Sequence, residues 1–136
     1  MKLQSHLAFD GQCATAFKFY EQCMGGKIGM MMTYEDSPMK ESVPPEWRGK
    51  ILHASISLGD SVLMGADAPP GRYEKPKGIM MSVSVDDPGD ADRIFQELAE
   101  NGRITMPVAE TFWAIRFGML VDQFGIPWMV NCEKKA

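Results

Sequence analysis

An internal repeat constrains this chain more than any other feature. The segment LAFDGQCATAFKFYEQCMGGKIGM, starting at Leu7, lies without a gap on VSVDDPGDADRIFQELAENGRITM, starting at Val83. Asp10 falls on Asp86, Phe19 on Phe95, Glu21 on Glu97, Gly26 on Gly102, Ile28 on Ile104 and Met30 on Met106. A chain that repeats in this way is built from two copies of one supersecondary unit, so the unit has to be read before the fold.

Each copy reads as strand, helix, strand. Leu7 and Phe9 alternate with Ala8 and Asp10, after which Ala16, Phe19, Tyr20 and Cys23 recur at helical spacing until Gly25-Gly26 ends the helix. In the second copy Pro88 suits a helix start, Ala91, Ile94, Phe95 and Leu98 form the apolar stripe, and Asn101-Gly102 supplies the stop. Each half then adds two apolar strands joined by a short turn, KILHASISLGDSVLMG in the first and ETFWAIRFGMLVDQFGIPWMVNC in the second. The expected architecture is α+β, a β-α-β-β-β module occurring twice, with module one at 1–67, a Pro- and Gly-rich connector at 68–78 and module two at 79–136. The segment EDSPMKESVPPEWRGK interrupts the first module and reads as a mobile flap.

With 136 residues the chain has the size of one domain. Its net charge of -4 is spread along the sequence with no basic stripe, which argues against nucleic acid as a partner. No apolar run reaches the roughly 18 residues of a membrane span, and no signal peptide opens the chain, so a cytoplasmic protein without a membrane partner is expected. Cys13, Cys23 and Cys132 have no CxxC spacing and are expected to be reduced thiols.

FDGQCATAFKFY, LMGADAPPGRYEKP, SVDDPGDADRIFQELAENG and above all ETFWAIRFGMLVDQFGIPWMVNC resemble the PhnB-like branch of the vicinal oxygen chelate superfamily, which holds glyoxalase I, bleomycin-resistance and fosfomycin-resistance proteins and extradiol dioxygenases. The resemblance covers nearly the whole chain. It implies a single domain whose two curved mixed sheets enclose a cavity, and a homodimer. It also implies four inward strand positions that hold a divalent metal in the superfamily's metalloenzymes. Carried over, these fall on Ser5 (or His6, one residue on), Met64, Met80 or Met81, and Met129. At best one nitrogen ligand remains, and neutral thioethers do not replace carboxylates for Zn, Ni, Mn or Fe, so no metal or other cofactor is expected.

Other residues are left to carry chemistry. Alternation puts Glu110, Phe112, Ala114, Arg116 and Gly118 on one face of their strand and Trp113, Ile115, Phe117 and Met119 on the other. Arg116, flanked by small residues, suits an oxyanion ligand or a protein acid such as Glu110, Asp122 or Asp67. His53 shares a face with Ser55 and Ser57, falls near Arg116 if the two hairpins superpose, and is the first candidate for a general base. Glu110 is the second. Trp47, Tyr34, Trp113 and Trp128 are candidate walls of a largely apolar pocket floored by Met64, Met80 and Met129. Three functions are consistent with this pattern: a metal-free small-molecule-binding protein, an isomerase- or lyase-type enzyme using His53 or Glu110, and a dimeric structural or regulatory protein with a vestigial pocket.

Overall fold

The computed structural model describes residues 1–135. The chain divides into two compact units, Met1–Glu74 and Lys75–Ala136. The first runs β1 (Ser5–Phe9), α1 (Cys13–Met24), β2 (Lys27–Thr33), β3 (Ile51–Leu58) and β4 (Ser61–Asp67), and its strands form one sheet in the order β1-β4-β3-β2. The second runs β5 (Met81–Ser84), α2 (Pro88–Leu98), β6 (Arg103–Ala109), β7 (Ala114–Val121) and β8 (Pro127–Glu133), ordered β5-β8-β7-β6. In each sheet the first pair is parallel and the others antiparallel. The α+β class and the twice-occurring β-α-β-β-β unit are therefore as expected. Among the described residues no helix is long and apolar enough to cross a membrane.

One helix packs on one face of each sheet. In α1 the buried positions are Cys13, Ala16, Phe17, Tyr20 and Cys23, which spiral along a single stripe. They pack on β3 and β4, whose buried residues on that side are Ala54, Ile56, Leu63 and Gly65. Gly65 is required there, because a Cβ would stand 2.8 Å from the Phe17 ring. In α2 the stripe is Ala91, Ile94, Phe95 and Leu98, and it covers the side of β7 and β8 that carries Gly118, Leu120, Trp128 and Val130. At Gly118 a Cβ would lie 2.6 Å from Phe95.

The two copies are not in step throughout. The left-handed residues that follow the helices, Gly25 at φ 72° and Asn101 at φ 58°, match as the ungapped repeat places them. Inside the helices, burial pairs Ala16 and Tyr20 with Ala91 and Phe95, one residue away from the ungapped match. Phe19, expected in the core stripe, is only half-buried, and Phe17 takes a core position instead. The segment expected to be a flap holds two short 3-10 turns, Lys40–Ser42 and Pro45–Trp47. Its base is tied to the sheet by Tyr34 N–H donating to Lys50 O at 3.0 Å and Glu35 N–H donating to Arg48 O at 2.8 Å.

Two buried carboxylates hold the modules, each at a different corner of its sheet. Asp67, 1 % exposed at the end of β4, accepts Cys13 N–H at 2.9 Å and Ile51 N–H at 2.8 Å, while its carbonyl accepts the Tyr34 hydroxyl at 2.7 Å. It thus caps α1 from another element, supplying the acceptor that Gln12 does not. Asp122 accepts Phe124 N–H at 2.8 Å and Ile126 N–H at 3.0 Å through one oxygen, and Trp128 Nε1–H at 2.8 Å through the other. That shapes the turn between β7 and β8 and fixes the indole beneath α2. Removing either carboxylate leaves buried N–H groups without an acceptor. Asp67→Ala and Asp122→Ala should each cost about 2 to 5 kcal/mol in urea unfolding. A cost below about 1 kcal/mol would show that these donors find other partners.

Candidate functional site: the helix-free face of the first sheet

The single helix of module one leaves the opposite face of its sheet without a helix. Strand register defines that face. One row across the sheet is His6 on β1, Met64 on β4, Ser55 on β3 and Met30 on β2. The next contains Ala8 beside Ala66, and His53 beside Met32. A further row has Val62, Ser57 and Lys27. Ala8 and Ala66 are short, and the two imidazoles stand to either side of β4 with ring centroids 6.5 Å apart and planes 28° from parallel. Ser55 Oγ accepts Met30 N–H at 3.2 Å, and a hydroxyl that accepts on one side can donate on the other.

His6 is held below the ordinary histidine pKa, first by partial desolvation and then by its neighbour His53. Its neutral form is thus favoured near pH 7, when the ring nitrogens can offer one donor and one acceptor. Between its folded pKa and the ordinary value the unfolded chain binds more protons, so this residue contributes stability above that window and loses it as pH falls through the window.

Strand parity decides the fate of the other expected site residues. Arg116 lies on the α2 side of β7. Its Nε donates to Asp92 Oδ1 at 3.1 Å, and its Nη1 donates to Ile115 O at 2.9 Å. The expected oxyanion partner is therefore an acid of the module's own helix, and not Glu110, Asp122 or Asp67. Matching the sheets by register (Met64 with Met129, Gly65 with Val130, Ala54 with Gly118) puts His53 opposite Phe117 rather than Arg116. That shift of one residue moves a side chain to the other face. Trp128 is 2 % exposed and Tyr34 3 %, and both are core residues bonded to the buried Asp corners, not pocket walls.

Glu110 is exposed and bonded to Lys134 Nζ at 2.9 Å. That bond, with the Lys134 charge, holds its carboxyl below the usual carboxylate range and makes it a weaker base. Trp47 rests against Gly11, with Lys50 Nζ 5.8 Å above its ring, outside the row of residues around His53. Trp113 stacks edge-on against Phe117 at 5.2 Å and Phe112 at 4.8 Å in module two. Met64 and Met129 do occupy helix-free faces, each in its own sheet. Burial pushes the Cys13 thiol up to about 12, with Asp67 adding to the effect, so it stays protonated.

The metal positions implied by the resemblance are corrected by the same register. Ser5 pairs with Leu63 and Met81 with Trp128, both on helix-covered faces, while Met80 precedes β5. The helix-free positions are His6 beside Met64 and Ser82 beside Met129. One imidazole, two thioethers and a hydroxyl do not fit the hard or borderline divalent ions of the superfamily. No group of three or more His, Cys, Asp or Glu suited to a metal occurs among the described residues. Proton NMR should find the His6 midpoint below the ordinary histidine value of 6.5, rising in His53→Ala. An ordinary midpoint unaffected by that substitution would remove the electrostatic link between the rings.

Whole-chain comparisons agree with the geometry. The model of the 3-demethylubiquinone-9 3-methyltransferase family matches residues 1–131. Protein YjdN of Escherichia coli K12 is 31 % identical, with 99 % of this chain and 97 % of that protein aligned. The crystal structure of protein PA1353 from Pseudomonas aeruginosa superposes with a TM-score of 0.87 at 42 % identity, covering 98 % of this chain and all of that one. A glyoxylase/bleomycin resistance protein/dioxygenase domain from Frankia shares the fold at 13 % identity, TM-score 0.65 and 98 % coverage of both chains. The chain belongs to the 3-demethylubiquinone-9 3-methyltransferase family, and its fold is that of the vicinal oxygen chelate superfamily it resembles in sequence.

Proposed function

We propose that the protein is a small-molecule-binding member of this superfamily that holds its ligand without a divalent metal. The observation that carries this reading is the helix-free face of the first sheet. It combines methionines, short alanines, two imidazoles and a serine hydroxyl, an apolar surface with a few polar groups such as small ligands prefer. The family's descriptive name speaks of methyl transfer to a demethylated quinone, but the strand-to-helix turns, Asp10-Gly11-Gln12 and Val85-Asp86-Asp87, offer no glycine-rich cradle for a nucleotide-type donor. If the face also supports turnover, the base is His53, since Glu110 is bound to Lys134.

A homodimer belongs to the same proposal. Ile104 and Met106 on β6 are 51 % and 41 % exposed, and Phe112 and Trp113, just before β7, are 89 % and 41 % exposed. Phe112 and Trp113 stand edge-on at 4.8 Å, which leaves two aromatic rings side by side on the surface. Light scattering coupled to size exclusion should give twice the chain mass, and a monomer at micromolar concentration would remove the dimer.

A thermal-shift screen of small aromatic and apolar compounds tests the binding reading. A ligand at ~100-fold above its Kd should add about 2.7 kcal/mol of stability. Ala66→Phe, which fills the space beside His53, should abolish the shift, and Arg116→Ala should keep it. If no compound class stabilises the protein, or if Ala66→Phe responds like the parent chain, the site is not this face.

A further inference from the structure

The charge inventory of the first sheet's helix-free face identifies the kind of ligand it takes. His6 and His53 stand on it 6.5 Å apart, and Lys27 lies one row beyond Met30. None of its strand positions holds a carboxylate. Asp67, the acid at the end of β4, points to the other face, where Cys13 N–H and Ile51 N–H occupy its oxygens. Other charges lie past the ends of the strands: Asp10 is exposed after β1, where Lys50 Nζ donates to Gly11 O at 3.1 Å, Asp60 sits in the turn between β3 and β4, and Asp36 beyond β2 accepts the Thr33 hydroxyl at 3.1 Å. The face therefore holds groups that are or can become cationic, with no anion of its own to satisfy them.

We infer that this face binds a small apolar acid, with the ligand's carboxylate received between His6 and His53 and its body lying over Met64, Ala66 and Met32. The inference rests on the small-molecule-binding reading and adds the ligand's chemical class. A carboxylate has two oxygens to accept hydrogen bonds, and two imidazoles on either side of β4 can each present an N–H donor to it. Ser55, whose oxygen already accepts Met30 N–H, has its own proton for the same group. An anion between the rings also favours their charged forms, so binding draws a proton onto the pair. Ala8 and Ala66, paired across β1 and β4, put two short side chains next to the imidazole pair.

The test compares 2-naphthoate with 2-naphthamide, which share an apolar body and differ in charge. Binding is measured by calorimetry between about pH 5.5 and 8, where the acid stays ionised, in buffers of different ionisation enthalpy. Naphthoate should bind more tightly as pH falls, by about tenfold per pH unit over the range in which one proton is taken up, with the uptake visible in the buffer dependence. Naphthamide should show a flat profile. His53→Gln and His6→Gln should each flatten the naphthoate profile, and a cooperative urea-unfolding transition retained in each variant separates loss of the charge site from loss of fold. If naphthamide binds as well as naphthoate at every pH, or if the naphthoate slope survives both substitutions, the acid inference fails and the small-molecule reading stands. If neither compound binds at millimolar concentration, nor any other apolar acid in the thermal-shift screen, the acid inference fails, and if no compound of any class stabilises the protein the small-molecule reading fails with it.

Discussion

One helix covers only one side of a four-stranded sheet, and that constraint organises both modules. The covered side is dense: α1 and α2 press aromatic rings against Gly65 and Gly118, and buried carboxylates tie up the backbone donors at each corner. The uncovered side keeps residues that no core would choose, including His6, His53, Ser55 and Ser82. Since side chains alternate along a strand, each residue's place is settled by parity. Position in this chain means position relative to the helix, and chemistry follows from it.

The element pattern was legible because it rests on local signals. Alternation, helical spacing and Gly or Asn stops are written within a few residues of one another, and the repeat gave each signal twice. Strand order was not legible: β4 enters between β1 and β3, and nothing within β4 announces it. The closeness of His6 and His53 follows from that insertion, so two histidines read separately from their own strands could not be joined.

Arg116 shows the other limit. Its face was read correctly from alternation, but the identity of the face depended on which side α2 would cover, and Asp92 lies on a helix whose outward and inward positions were assigned only by its apolar stripe. Trp128 and Tyr34 were misplaced for a related reason. An aromatic side chain with a polar atom suits a pocket wall or a core equally well, and the deciding partners, Asp122 and the carbonyl of Asp67, come from other parts of the chain. Among the implied metal positions Met64 and Met129 held, while Ser5 and Met81 missed by a single residue, which in a strand turns a side chain to the other face.

The register that matches the two sheets has a further meaning. Ser82 stands where His6 does, and Phe117 where His53 does, on the same backbone framework. The scaffold is therefore doubled, but the histidine pair is single. The proposed acid site would occur once per chain, with Ser82 and Phe117 in the corresponding places of the second copy. Near-symmetry of the backbone thus coexists with two sheets of different chemical polarity.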